Sequence, residues 1–172
     1  EGIGELWLQY KTLKEKLLKE GLFSEKEKKS ISEIPKKIGV ITSLKGAVFN
    51  DIVNIINRRS PYVEIIVRDT QVNGAKSVLD LCNALDEFNI LQQVDVIIIA
   101  RGGGSFEDLM PFNDERLIRK IYKTSIPVIS AIGHETDFTL CDFVADLRAS
   151  TPSEAAELSC RKLSSIIAMI IN

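Results

Sequence analysis

Between Lys36 and Asp146 the chain alternates short apolar runs with stretches of helical spacing, and this alternation restricts the fold more than any other feature. Ile38-Gly-Val-Ile-Thr-Ser43 and Tyr62 to Val67 read as strands, as does Pro127-Val-Ile-Ser-Ala-Ile132. Val94-Asp-Val-Ile-Ile-Ile-Ala100 is almost wholly β-branched, the pattern of a central strand covered on both faces. Between them, Ala47 to Arg59, Ala75 to Phe88 and Phe112 to Tyr122 carry apolar residues three or four apart, and Phe138 to Asp146 reads as a further helix. The order βαβαβαβα predicts an α/β fold: a doubly wound, mainly parallel sheet with flanking helices, of Rossmann-like type. A leader helix over Leu6 to Leu18 precedes it, with Gly21 placed to end it. After it comes a C-terminal helix with Thr151 at N-cap, Pro152 at N1 and Glu154 at N3, a predicted capping box. The expected organisation is a leader helix and linker over 1–35, an α/β domain over 36–158, and the start of a helical region over 159–172.

Charge excludes a broadly basic nucleic-acid binder. The 22 basic and 24 acidic side chains give −2, divided as +2 over residues 1–37 and −4 over the rest. A polyanion site must therefore be local. The Ser24–Ser30 stretch is expected to be a solvated linker. Cys82, Cys141 and Cys160 have no metal-ligand spacing and read as reduced thiols, pointing to the cytosol. The apolar run Ile166 to Ile171 is only six residues long, far short of the roughly 18–20 that span a bilayer, so no membrane segment is expected.

Ligands of open α/β sheets bind beyond the carboxyl ends of the strands. Three such ends carry unusual residues. Thr42 and Ser43 precede Lys45-Gly46, with Asp51 following; Arg101-Gly102-Gly103-Gly104-Ser105 leads to Glu107 and Asp108; Gly133-His134-Glu135-Thr136-Asp137 follows the fourth strand. Three glycines after a strand, capped by Ser105 and Asp108, bring bare N–H groups to a helix start, which suits a phosphate oxygen. Arg101 supplies a planar, permanently charged fork. The competing reading is a tight turn beside an incidental arginine. His134 is the only histidine; imidazole exchanges a proton near neutrality, and Asp137, three residues on, is placed to orient it. Asp51 fits either a favourable helix charge or a group that orients a water, a cation, Arg101 or His134. Lys45, Glu107, Glu135 and Asp142 rank lower, as caps or solvated charges. Neither Ser43 nor Ser105 has a nucleophile-elbow sequence around it.

These segments, with Phe112-Asn-Asp-Glu-Arg116, Asp142-Phe-Val-Ala-Asp-Leu-Arg-Ala149 and Thr151-Pro-Ser153, closely resemble the large subunit of exodeoxyribonuclease VII, from about Gly4 to about Glu157. The resemblance implies an exonuclease degrading single-stranded DNA from either end, together with several copies of a small helical subunit. It also implies an N-terminal OB-fold domain and a long coiled coil outside this stretch. The family's proposed catalytic residues fall on Asp51, Arg101, His134 and Asp137, with Gly102, Gly103, Gly104 and Ser105 expected at the phosphate. No obligatory cofactor is implied, although some dependence on a divalent cation is compatible with the pattern. One departure is Leu44, where the family usually has proline. A non-catalytic phosphate-binding module and an assembly scaffold are the alternative readings.

Overall fold

The computed structural model describes residues 2–172. Its centre is a five-stranded, wholly parallel sheet in the order β2-β1-β3-β4-β5. The strands are β1 (Lys37–Thr42), β2 (Glu64–Asp69), β3 (Val96–Ala100), β4 (Val128–Ala131) and β5 (Leu147–Arg148). The helices are α1 (Ile3–Lys19), α2 (Ala47–Arg59), α3 (Ser77–Leu91), α4 (Phe106–Leu109), α5 (Glu115–Lys123), α6 (Leu140–Val144), α7 (Pro152–Ser159) and α8 (Leu163–Ile171). The doubly wound α/β expectation holds.

Side chains leave a strand on alternate faces, and β3 divides accordingly. Ile97 and Ile99 join Ile41, Val128 and Ile132 in a core closed by α1, α3, α5 and α6. Val96, Ile98 and Ala100 join Ile38, Val40 and Ile129 beneath α2 and α7. All five β3 residues are buried, as a central strand requires. Ala155 and Ala156 are small enough for α7 to lie close beside Ile52 and Ile56 of α2.

Several boundaries differ from expectation for local reasons. The helix read from Phe112 begins at Glu115, because Asp114 accepts the Arg116 N–H at 2.9 Å and caps there. The stretch before it is α4 followed by a 3₁₀ turn over Met110–Asn113. The helix read over Phe138–Asp146 shrinks to five residues, since Thr139 is its N-cap. β5 was not expected; two residues show no alternation to read. At α7, Thr151 accepts the Glu154 N–H at 3.0 Å, but the Glu154 carboxylate reaches the Ser150 N–H at 2.6 Å rather than that of Thr151.

The leader helix is packed into the main core through Tyr10 and Leu17. Gly21, at φ +85°, ends it in a Schellman motif: Leu22 N–H donates to Leu17 O at 3.2 Å and Gly21 N–H to Leu18 O at 3.1 Å. Lys16 pairs with Glu115 at 2.9 Å and Arg119 with Glu20 at 2.8 Å, joining α1 to α5. The stretch expected to be a solvated linker is also docked. Lys28 Nζ donates to the Phe143 and Ala145 carbonyls at 2.7 and 2.6 Å, capping the end of α6, and burial lowers its pKa. Asp146 accepts the Lys29 N–H at 2.6 Å and the Val128 N–H at 2.8 Å, fastening the stretch to β4.

Candidate active site

Parallel strands end on one rim, so the three segments singled out by sequence meet there. Thr42 Oγ1 donates to Ala100 O at 2.8 Å and Arg101 N–H to Ala131 O at 3.1 Å, joining the ends of β1, β3 and β4. Winding reverses between β1 and β3: α2 lies on one face of the sheet, α3 and α5 on the other. The crevice at such a switch point is where doubly wound sheets bind ligands. It holds a cavity of about 860 Å³, whose walls include Ser43, Lys45, Asp69, Asn73, Arg101 and Gly103.

Arg101 lies at the base of this crevice, only 6% exposed. Its Nη2 donates to Asn73 Oδ1 at 2.9 Å, while Nε and Nη1 have no hydrogen-bond partner. Burial lowers its pKa, partly offset by the Asp108 carboxylate. A buried guanidinium with two unsatisfied donor atoms leaves bonding capacity for an anion. A Cβ on Gly104 would stand 2.8 Å from both Arg101 Nη1 and Nη2, so only glycine lets the guanidinium lie against the turn. Ser105 and Asp108 form the expected capping box, with Asp108 Oδ2 accepting the Ser105 N–H at 3.0 Å; this holds Asp108 below its ordinary pKa.

His134 stands against the same turn. A Cβ on Gly103 would fall 2.1 Å from His134 Cε1 and 2.8 Å from Nδ1. Gly102 meets α2: its Cβ position is 3.8 Å from Val48 Cγ2. Asp51, exposed, lies three residues beyond Val48 on that helix. The glycine turn therefore has Arg101, His134 and the first turns of α2 around it. Asp137 shares a turn with His134, its N–H donating to His134 O at 3.0 Å, but the carboxylate makes no bond to the ring. Nor does Asp51 bond to Arg101 or His134 among the described residues.

Three residues at this rim are not singled out as candidates by sequence. Asn73, in an ordinary-looking loop, holds Arg101. Asp80 ties that loop down by accepting the Gln71 N–H at 2.7 Å and pairing with Arg68 at 2.7 Å. Arg148 donates to His134 O at 2.8 Å. Asp142, ranked low by sequence, is buried; it accepts from Ser130 Oγ at 2.8 Å and Thr139 N–H at 2.7 Å. Leu44 uses the N–H that proline would lack, donating to Asp69 Oδ1 at 3.0 Å. Among the described residues no group of three or more His, Cys, Asp or Glu is placed to hold a metal ion, and no helix is long and apolar enough to cross a membrane.

A parallel doubly wound sheet with a buried arginine and a glycine turn at its switch point, and one imidazole against that turn, defines an α/β domain with a candidate anion site. A family model described as Exonuclease VII, large subunit, matches residues 22–172, and the chain belongs to that family. It is 52% identical over 166 residues to the exodeoxyribonuclease 7 large subunit of Clostridioides difficile, covering 96% of this chain and 41% of the relative. The namesake protein of Thermoanaerobacter pseudethanolicus is 55% identical over 158 residues, 92% of this chain and 39% of its own. That of Clostridium tetani is 48% identical over all 172, or 43% of the relative. The chain thus spans about two-fifths of the length of the relatives it matches.

Proposed function

We propose that this chain is the catalytic region of an exodeoxyribonuclease that hydrolyses single-stranded DNA from either end, in a cytoplasmic complex with several copies of a small helical subunit. The relatives' shared name supports the reaction class. The observation that carries the site is the buried Arg101 guanidinium, with two donor atoms unpaired at the switch point. The three cysteines are free thiols, in keeping with a reducing compartment.

In this reading Arg101 and the N–H groups of Gly102, Gly103 and Gly104, with Ser105, take the non-bridging oxygens of the scissile phosphate. Water attacks phosphorus, its proton passes to a base, and the P–O bond to the leaving sugar breaks as that oxygen gains a proton. His134 serves one of these two transfers. Asp51 orients the water, and Asp137 bonds the imidazole once substrate closes the turn. Positive charge comes from the protein itself, so no cofactor is obligatory; turnover in excess chelator measures any contribution of a divalent ion.

The test is release of acid-soluble products from end-labelled single-stranded DNA by the full-length large chain assembled with its small subunit. His134→Ala and Arg101→Ala are expected to lower the rate about 10²–10⁴-fold, with thermal unfolding little changed. Wild-type rates in either variant refute the assignment. An assembly that binds the strand but releases nothing is instead a phosphate-binding module.

A further inference from the structure

The turn carrying His134 is fastened from outside by a residue that has been given no role above. Arg148 is the second of the two residues of β5, paired beside Ser130 of β4. Its Nη2 donates to His134 O at 2.8 Å and, more distantly, to Glu135 O at 3.4 Å. Its guanidinium carbon stands 3.9 Å from the centre of the Phe138 ring. The planar group thus grips the turn at both ends, 134–135 by its edge and 138 by its face.

We propose that Arg148 is a positioning residue: it fixes the backbone of residues 134–138 so that the imidazole stays against Gly103. The inference rests on the reading of His134 as the proton-transfer group. The turn's other holds are the Asp137 N–H to His134 O bond within it and the stacking of Phe138 on Phe143 at 5.9 Å, and residues 134–138 are exposed.

The simpler account is that Arg148 neutralises the buried Asp142. The geometry does not favour it. Arg148 Nε lies 3.9 Å from Asp142 Oδ1, beyond hydrogen-bond reach, and Nε is buried without a partner. Asp142 already accepts from Ser130 Oγ, the Thr139 N–H and Thr139 Oγ1. The short bond and the stacked face both go to the turn, and these need a planar fork rather than a point charge.

Two variants separate the accounts in the assembled full-length protein. Arg148→Lys keeps the charge near Asp142 but loses the plane; Arg148→Gln removes both. For each, steady-state cleavage of single-stranded DNA is measured with the rate at which diethyl pyrocarbonate modifies His134, read by mass spectrometry of its peptide. Positioning predicts that in both variants kcat falls about 10–100-fold, because about 1 Å of misplacement costs on that order. KM should stay within about twofold, and His134 modification should become several-fold faster as the ring leaves Gly103. A wild-type kcat in Arg148→Lys means that charge alone suffices and overturns the proposal. A lowered kcat with unchanged His134 modification overturns it too. Should Arg148→Gln not fold, Arg148→Lys decides. Should the wild-type assembly release no products, the nuclease reading fails, while the modification rates still decide whether Arg148 holds the turn.

Discussion

Gly103→Ala separates the geometry of the site from the stability of the fold. An alanine Cβ there lies 2.1 Å from His134 Cε1, whereas carbon atoms rest about 3.5–4.0 Å apart, so the ring must retreat by about 1.5 Å. The backbone accepts the change, because the glycines at positive φ among the described residues are Gly21 and Gly74, not Gly103. What gives way is an exposed side chain. A displaced rotamer costs roughly 0.5–1.5 kcal/mol, while replacing glycine in a compatible conformation returns roughly 0.4–1 kcal/mol. The net effect on unfolding is within about 1 kcal/mol, a shift in melting temperature of about 2–4 °C at most. The rate should respond far more: about 10²-fold for a displacement of this size, or about 2.7 kcal/mol in the barrier. Single-turnover cleavage of an end-labelled oligonucleotide by the full-length assembly, alongside its thermal unfolding, measures both. A Gly103→Ala protein that cleaves at the wild-type rate refutes the claim that the imidazole works from its place against the glycine turn. One that unfolds many degrees early refutes the claim that the side chain alone absorbs the clash.

The neighbouring glycine should behave oppositely. A Cβ on Gly133 would meet the Asp137 carbonyl oxygen at 2.1 Å, and backbone cannot swing aside, so Gly133→Ala should lower both melting temperature and activity; normal stability there would mean that the turn is looser than its geometry. Leu17→Ala, at a fully buried position joining α1 to the main core, should cost about 2–5 kcal/mol in urea unfolding, and a cost under about 1 kcal/mol would show that α1 is not part of the cooperative unit. Asp80 gives a pH dependence. Burial pushes its carboxyl upward, but the Gln71 N–H and Arg68 outweigh this and hold it below its ordinary value. Its folded pKa is lower than its unfolded one, so its contribution is full above about pH 4 and disappears as pH falls through the folded value. The stability gap between wild type and Asp80→Asn should therefore close on acidification; a gap independent of pH would contradict the ion pair.

The elements that sequence made legible are those whose information is local. β1, β3 and β4 are visible because the middle of a parallel sheet is buried on both faces, leaving runs such as Val96–Ala100 with nowhere else to go. The half-buried edge strand β2 is visible from its β-branched Ile65-Ile66-Val67. The Ser105 and Thr151 caps are visible because a cap is a contact over three residues. From the same runs it follows that the three loops share one rim. β5 escaped notice because two residues carry no period, and its identity comes only from pairing with Ile129 and Ser130. The docking of Lys28 on the end of α6 also escaped: its charged sequence looks solvated, and its partners are carbonyls more than a hundred positions away.

The same distinction runs through the site. Arg101 and His134 stand out because each has a glycine beside it in sequence, and their side chains lie where Gly104 and Gly103 respectively lack one. The groups that hold them give no such sign. Asn73 grips Arg101 across 28 positions and Arg148 grips the His134 carbonyl across 14, each through a single guanidinium bond that leaves neither period nor composition behind. Asn73 lies in the loop after β2 and Arg148 at the end of β5, on opposite sides of the glycine turn that follows β3. Neither is on the turn itself. The two groups proposed to handle phosphate and proton are therefore set by neighbours that can be changed one at a time. Arg148→Lys should then disturb His134 while leaving Arg101 in its bond to Asn73, and Asn73→Ala should free Arg101 while leaving the His134 turn in place. If the two faults prove inseparable, so that either substitution displaces both side chains, the rim moves as one body and the glycine turn, not the flanking grips, sets the geometry.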